Sequence, residues 1–163
     1  MSNNSMNQKK NIASIYDRIN TNDNINTENG ISSNQLKNFI IRDLLYLLNT
    51  TGYYYHNELD EDNHSEYAKS VLNYGIEPIS GRQVSEINWL KVEKNIKLAI
   101  KLFEPRILPE GLEVKCLIDT EGVAKHNQMS IEIKGLIRST PYPERFLLTT
   151  KLDVETGSFI STI

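Results

Sequence analysis

The apolar positions of the chain repeat every three or four residues up to Phe103 and every second residue after Leu112, so a helical part is followed by a strand part. In the first part Leu36, Ile40, Leu44, Leu47 and Leu48, with Phe39 and Ile41 beside them, predict a buried helix over Gln35 to Leu48 capped by Ser33 or Asn34. Asn49-Thr50-Thr51-Gly52 stops it. Ser65 is placed to cap a short helix from Glu66 to Leu72, with Gly75 to end it. Ser85 opens the longest helix, where Val84 can pack on Trp89 as a hydrophobic staple. Trp89, Val92, Ile96, Ala99 and Phe103, with Ile100 alongside, form its core stripe, and Lys91, Glu93, Lys94, Lys97 and Lys101 face water.

Pro105 ends that helix at about Glu104, because proline lacks the amide donor and clashes with the preceding turn. Beyond Arg106 alternation takes over. Leu112, Val114, Cys116 and Ile118 share one face of a first strand, and Met129, Ile131 and Ile133 lead a second that runs to Ile137. Phe146, Leu148, Thr150 and Leu152 mark a third, and a hairpin-length loop ending at Gly157 leads to a last strand, Ser158 to Ile163. Short connections between successive strands favour antiparallel pairing. The predicted class is α+β, with three to four helices on one face of a roughly four-stranded, mainly antiparallel C-terminal sheet. The last strand has no charge and no proline, so it is either an edge open to strand addition or an interior strand.

Residues 1–34 read as a mostly flexible Asn-rich leader and 35–163 as a single domain. Within the leader Ile12, Ile15, Tyr16 and Ile19 have helical spacing. A helix near 12–19 is too short to persist alone, so it should dock on its own domain or on a partner. The chain has 163 residues, 39% hydrophobic, with a formal net charge of −3 and scattered cations, which argues against nucleic acid. The longest apolar run, Phe39 to Leu48, is broken by Arg42 and Asp43 and is too short to span a bilayer, and no secretory signal is visible, so a cytoplasmic protein is expected. Cys116 is the only cysteine and, on an apolar strand face, reads as an inert core thiol. His56 and His64 flank an acidic run that matches no calcium or zinc spacing, so no metal or other cofactor is expected.

The candidate chemistry sits at Glu104-Pro105-Arg106. A carboxylate at a helix C-terminus opposes the helix dipole, and Arg106 is the nearest cation to answer it. Glu104 could be a glycosidase general acid, a member of an exposed pair, or part of a surface that a partner buries. Glycoside hydrolysis needs a second positioned carboxylate, for which Asp119 is the only suggestion, and an arginine close by favours a charged Glu, the wrong direction for an acid.

Four blocks in order, Ile15-Tyr16-Asp17-Arg18-Ile19, Arg42 to Thr50, Ser70 to Ile76 and Phe103 to Ile107, resemble the TssE subunits of type VI secretion baseplates, which belong to the lysozyme-like baseplate wedge family of contractile tails. The resemblance covers about Ile12 to the C-terminus and excludes Tyr53 to His64. It implies a non-enzymatic structural protein of the cytoplasmic baseplate, docked at the inner membrane without inserting in it. It further implies that Glu104, Pro105 and Arg106, with Tyr16 and Arg18, bind the TssF and TssG wedge subunits. Phe159 and Ile160 would then belong to a sheet edge on which the TssB–TssC sheath starts. The enzymatic alternative is a lysozyme-like peptidoglycan glycosidase.

Overall fold

The computed structural model describes residues 11–20, 30–53, 69–117 and 128–161. The acidic run His56 to His64, the cap Ser65 with most of the helix expected after it, Ile118, Asp119, the turn that follows, Thr162 and Ile163 lie outside the described residues.

Three α-helices and four strands are seen among the described residues: α1 (Ile15–Asn20), α2 (Ser33–Leu48), α3 (Trp89–Phe103), β1 (Ile107–Leu117), β2 (Gln128–Ile137), β3 (Glu144–Asp153) and β4 (Ser158–Ser161). The strands form one antiparallel sheet in chain order, β1-β2-β3-β4. α3 packs along β1, and α2 touches both α3 and β4, so the two long helices form a layer over one sheet face. Alternation works because, among the described residues, only that face is covered. Val114, Ile131, Ile133, Leu148, Leu152 and Phe159 are buried beneath Ile40, Leu44, Ile96 and Ile100. Gly135 lies opposite Phe146 in register, and a Cβ there would sit 2.8 Å from the ring.

Several boundaries differ from the sequence reading, each for a local reason. Ser32, not Ser33 or Asn34, caps α2: its hydroxyl accepts from Gln35 N–H while the Gln35 side chain takes the Ser32 N–H, a reciprocal capping box. α3 starts at Trp89 with Asn88 as its cap, so Ser85 is not the cap and Val84 is not a staple. Val84–Glu86 is a separate 3₁₀ turn, and the chain stays extended at Ile87, which is buried, before the helix begins. β1 begins at Ile107, directly after the hinge, five residues before the expected start. A bulge between Leu108 and Glu113, containing Pro109 and Gly111 at φ 76°, hides its first residues from a period-two reading.

The largest departure is in the leader. α1 covers 15–20 instead of 12–19, and its apolar stripe faces solvent: Ile12, Ile15, Tyr16 and Ile19 are 59 to 79% exposed. Ala13 and Asp17 are the residues that point inward. The segment is nevertheless held against the rest of the chain. Asn11 forms a bridge with Ile31, donates to Ser139 Oγ at 3.0 Å and accepts from Thr140 N–H at 2.9 Å.

Candidate functional site

The turn from α3 into β1 carries a buried carboxylate, Glu104. Glu104 ends α3, its N–H still bonded to Ile100 O at 2.9 Å, and its carbonyl accepts from Ile107 N–H at 3.1 Å, so the chain turns within Pro105 and Arg106. Arg106 O accepts from Arg138 N–H at 2.7 Å, which ties the turn to the end of β2. Pro105 is exposed, whereas Glu104 is only 4% exposed.

The Glu104 carboxylate is held from both sides by one arginine. Arg106 Nε donates to Oε1 at 2.7 Å and Nη2 to Oε2 at 2.5 Å, a two-pronged geometry that matches a planar guanidinium to a carboxylate. Arg106 N–H adds a third bond to Oε1 at 3.2 Å. The exposed-pair reading is therefore incorrect, because the helix packing buries the carboxylate. The expectation that these charges wait for a partner is also corrected: Arg106 Nη2 reaches Asp43 Oδ2 on α2 at 2.6 Å.

From Asp43 the ion pairs continue. Arg42 binds Asp43 Oδ1 through Nε at 2.9 Å and Nη2 at 2.7 Å, and the same Nη2 lies 2.7 Å from Asp17 Oδ1 on α1. Ser14 donates its hydroxyl to Asp17 Oδ2 at 2.6 Å and accepts from Asp17 N–H at 3.1 Å, capping α1 as it does so. Charges alternate along Glu104, Arg106, Asp43, Arg42 and Asp17, so every cation lies between two carboxylates. Arg42 also stands over the rings of Tyr16 and Phe39, 5.4 and 5.3 Å from their centres. Tyr74 closes the other side, with its ring edge-on to Phe103 at 5.5 Å.

The electrostatics follow this geometry. Burial opposes the charged forms of both arginines, but the carboxylates outweigh it and hold Arg42 and Arg106 above their ordinary range. Burial would push the Asp17 carboxyl up, yet the Ser14 hydroxyl and Arg42 together bring it below its usual value. Burial raises the Tyr74 phenol, and the carboxylates of Asp43 and Glu104 add to the rise. Both oxygens of Glu104 accept from Arg106, so the arginine occupies the carboxylate's hydrogen-bonding positions. Asp119, the suggested second carboxylate, is outside the described residues.

Of the residues expected to meet a partner, Glu104, Pro105, Arg106 and Tyr16 come together around this network, with Arg18 exposed on the same short helix. Phe159 and Ile160 lie elsewhere, on β4, which among the described residues is a sheet edge and not an interior strand. Phe159 points into the core and Ile160 is exposed. That edge is not unprotected. Asn49, just past α2, accepts from Phe159 N–H at 2.9 Å and donates to Phe159 O at 3.0 Å, pairing with the peptide as a neighbouring strand would. On the opposite edge Glu93 of α3 accepts from Cys116 N–H at 2.7 Å. Burial and that carboxylate push the Cys116 thiol up to about 12, which leaves it un-ionised at neutral pH.

Asp17, Arg42, Asp43 and Asn49 were missed as site residues from sequence. A usable signal existed: Arg42 and Asp43 interrupt the apolar run from Phe39 to Leu48, and all four residues fall inside the blocks that carry the family likeness. Among the described residues no cluster of His, Cys, Asp or Glu could hold a metal, and no helix is long and apolar enough to cross a membrane.

The family model for baseplate wedge protein gp25 matches residues 34–142, a span that includes α2, α3, the hinge, β1 and β2. Comparison with curated proteins and with solved structures gives no match.

Proposed function

Because the chain belongs to the baseplate wedge protein gp25 family, we propose that it is a TssE-type subunit of a type VI secretion baseplate. In this reading it docks on the TssF and TssG wedge subunits around the Glu104-Pro105-Arg106 hinge and offers the β4 edge to the TssB–TssC sheath, whose strand would replace Asn49 at the Phe159 peptide. The observation that carries it is the family match across the hinge. The surroundings of the hinge support it: Pro105 and the apolar stripe of α1, with Tyr16 and Arg18, are exposed beside a buried charge network, as a docking surface on a rigid base would be. The subunit would work in the cytoplasm, within a baseplate held at the inner membrane, as structure and not as catalyst.

Copurification tests it. The full chain is expected to retain TssF and TssG from a cytoplasmic extract, and sheath formation on the resulting wedge should drop when Ile160→Lys puts a charge beside the β4 edge. Failure of the chain to retain either wedge protein would contradict the docking claim, and undiminished sheath formation with Ile160→Lys would contradict the edge claim.

A further inference from the structure

α1 has an unusual source of order. Six residues cannot sustain a helix alone, since nucleation is unfavourable and few hydrogen bonds follow it. Apolar burial does not supply the difference, because the four large apolar side chains face water and Ala13 is the apolar residue of this segment that packs inward. What α1 does bury is a carboxylate, Asp17, at 1% exposure. An ionised group at that depth is stable only when it is paired and hydrogen-bonded. Among the described residues Arg42 is a cation that meets it, at 2.7 Å.

Arg42 is not committed to Asp17 alone. It shares itself with Asp43, and Asp43 divides its two oxygens between Arg42 and Arg106. If Arg106 is lost, Asp43 keeps only Arg42, and the competition for that guanidinium turns against Asp17. If Glu104 is neutralised, the two-pronged hold that aims Arg106 at Asp43 is weakened, and the competition again turns against Asp17. The position of Arg42 also sets Tyr16, whose ring lies against it.

We infer that Glu104 and Arg106 are positioning residues for α1: the hinge fixes the N-terminal helix through Asp43, Arg42 and Asp17, and so decides whether the stripe Ile12, Ile15, Tyr16 and Ile19 is presented as one surface. The hinge would thus serve docking at a distance, through a helix far from it in sequence. Asn11, fixed by Ser139 and Thr140, holds the chain just before α1, so loss of the relay frees the helix and not the whole segment. The ordering of α1 is a property of the isolated chain, whereas its use in docking rests on the wedge reading.

Amide hydrogen exchange on the isolated full chain separates these. The reporter is Arg18 N–H, bonded to Ser14 O at 3.0 Å, and the reference is the amides of β3. Arg106→Lys retains the charge but not the fork that spans Glu104 and Asp43, which makes it a gentler change than removal. Arg106→Lys, Glu104→Gln and Asp17→Asn should each speed exchange at Arg18 by about tenfold or more while β3 changes little, as expected for local opening. Retention of TssF and TssG should fall in all three variants, with Asp17→Asn, remote from the hinge in sequence, behaving like the hinge variants. Unchanged Arg18 exchange in folded variants would overturn the relay, and so would loss of wedge retention in hinge variants whose α1 stays protected. Faster Arg18 exchange with no wedge retention even in the unaltered chain would support the relay and count against the wedge reading alone.

Discussion

α1 and α3 carry apolar residues at the same spacing and stand in opposite relations to water. On α3 the stripe Ile96, Ala99 and Ile100 is buried against the sheet, and outside it Lys94 and Lys101 are exposed, whereas Lys91, expected to face water, is half-buried against Glu77. On α1 the stripe Ile12, Ile15, Tyr16 and Ile19 is the outside, and the inward face is a serine-capped carboxylate. A hydrophobic period identifies a face; it does not say what covers it. α3 is held by area removed from water and α1 by charge pairing, and mutations should separate the two.

The largest effect is expected at the junction of the two systems. Arg106→Ala leaves the Glu104 carboxylate buried with no side-chain cation and should cost about 3 to 5 kcal/mol, read as a shift in denaturant midpoint with unchanged slope. Next comes the direct contrast between stripes. Ile96→Ala, in a fully buried position, should cost about 2 to 5 kcal/mol, whereas Ile15→Ala should stay within about 0.5 kcal/mol of the unaltered chain. Equal costs would mean that α1 buries its stripe after all.

pH sharpens the same comparison. The folded Asp17 carboxyl lies below its ordinary 3.8, because Ser14 and Arg42 outweigh the effect of burial. A group depressed in this way contributes stability that is present above its unfolded value and is lost as pH falls through the folded one. Protection of Arg18 N–H should therefore hold above about pH 4 and decay on further acidification, while in Asp17→Asn this dependence disappears. The smallest effect belongs to the sheet edge. Asn49→Ala removes two bonds to the Phe159 peptide and should cost about 1 kcal/mol, seen as faster exchange of Phe159 N–H with the amides of β2 unaffected.

The fold was legible wherever a residue's own environment decides its place. Val114, Ile133 and Leu148 alternate because each strand has one covered face, and Pro105 ends α3 because the ring admits no alternative. Choices between chemically equal residues were not legible. Ser85 and Asn88 are both good caps, and the burial of Ile87, a tertiary fact, selected Asn88. The site was half legible. Glu104, Pro105 and Arg106 stood out by their position, but Arg106 meets Asp43 across 63 residues, and Asp17 meets Arg42 from another helix. No spacing rule reaches such a pair. The family blocks held all of these residues, and the structure shows why they belong together: Tyr16, Asp17, Arg42, Asp43, Tyr74, Glu104 and Arg106 converge on one network.

On the proposed function the outward stripe of α1, held by that network, is what the wedge reads. Replacing Ile15 and Ile19 together by Glu leaves the core and the ion pairs untouched, since both side chains are more than 70% exposed. Titration of TssF–TssG with this double variant should show binding weakened by at least about tenfold at an unchanged melting temperature, the usual result of placing charge in the apolar centre of an interface. Binding equal to that of the unaltered chain would contradict it.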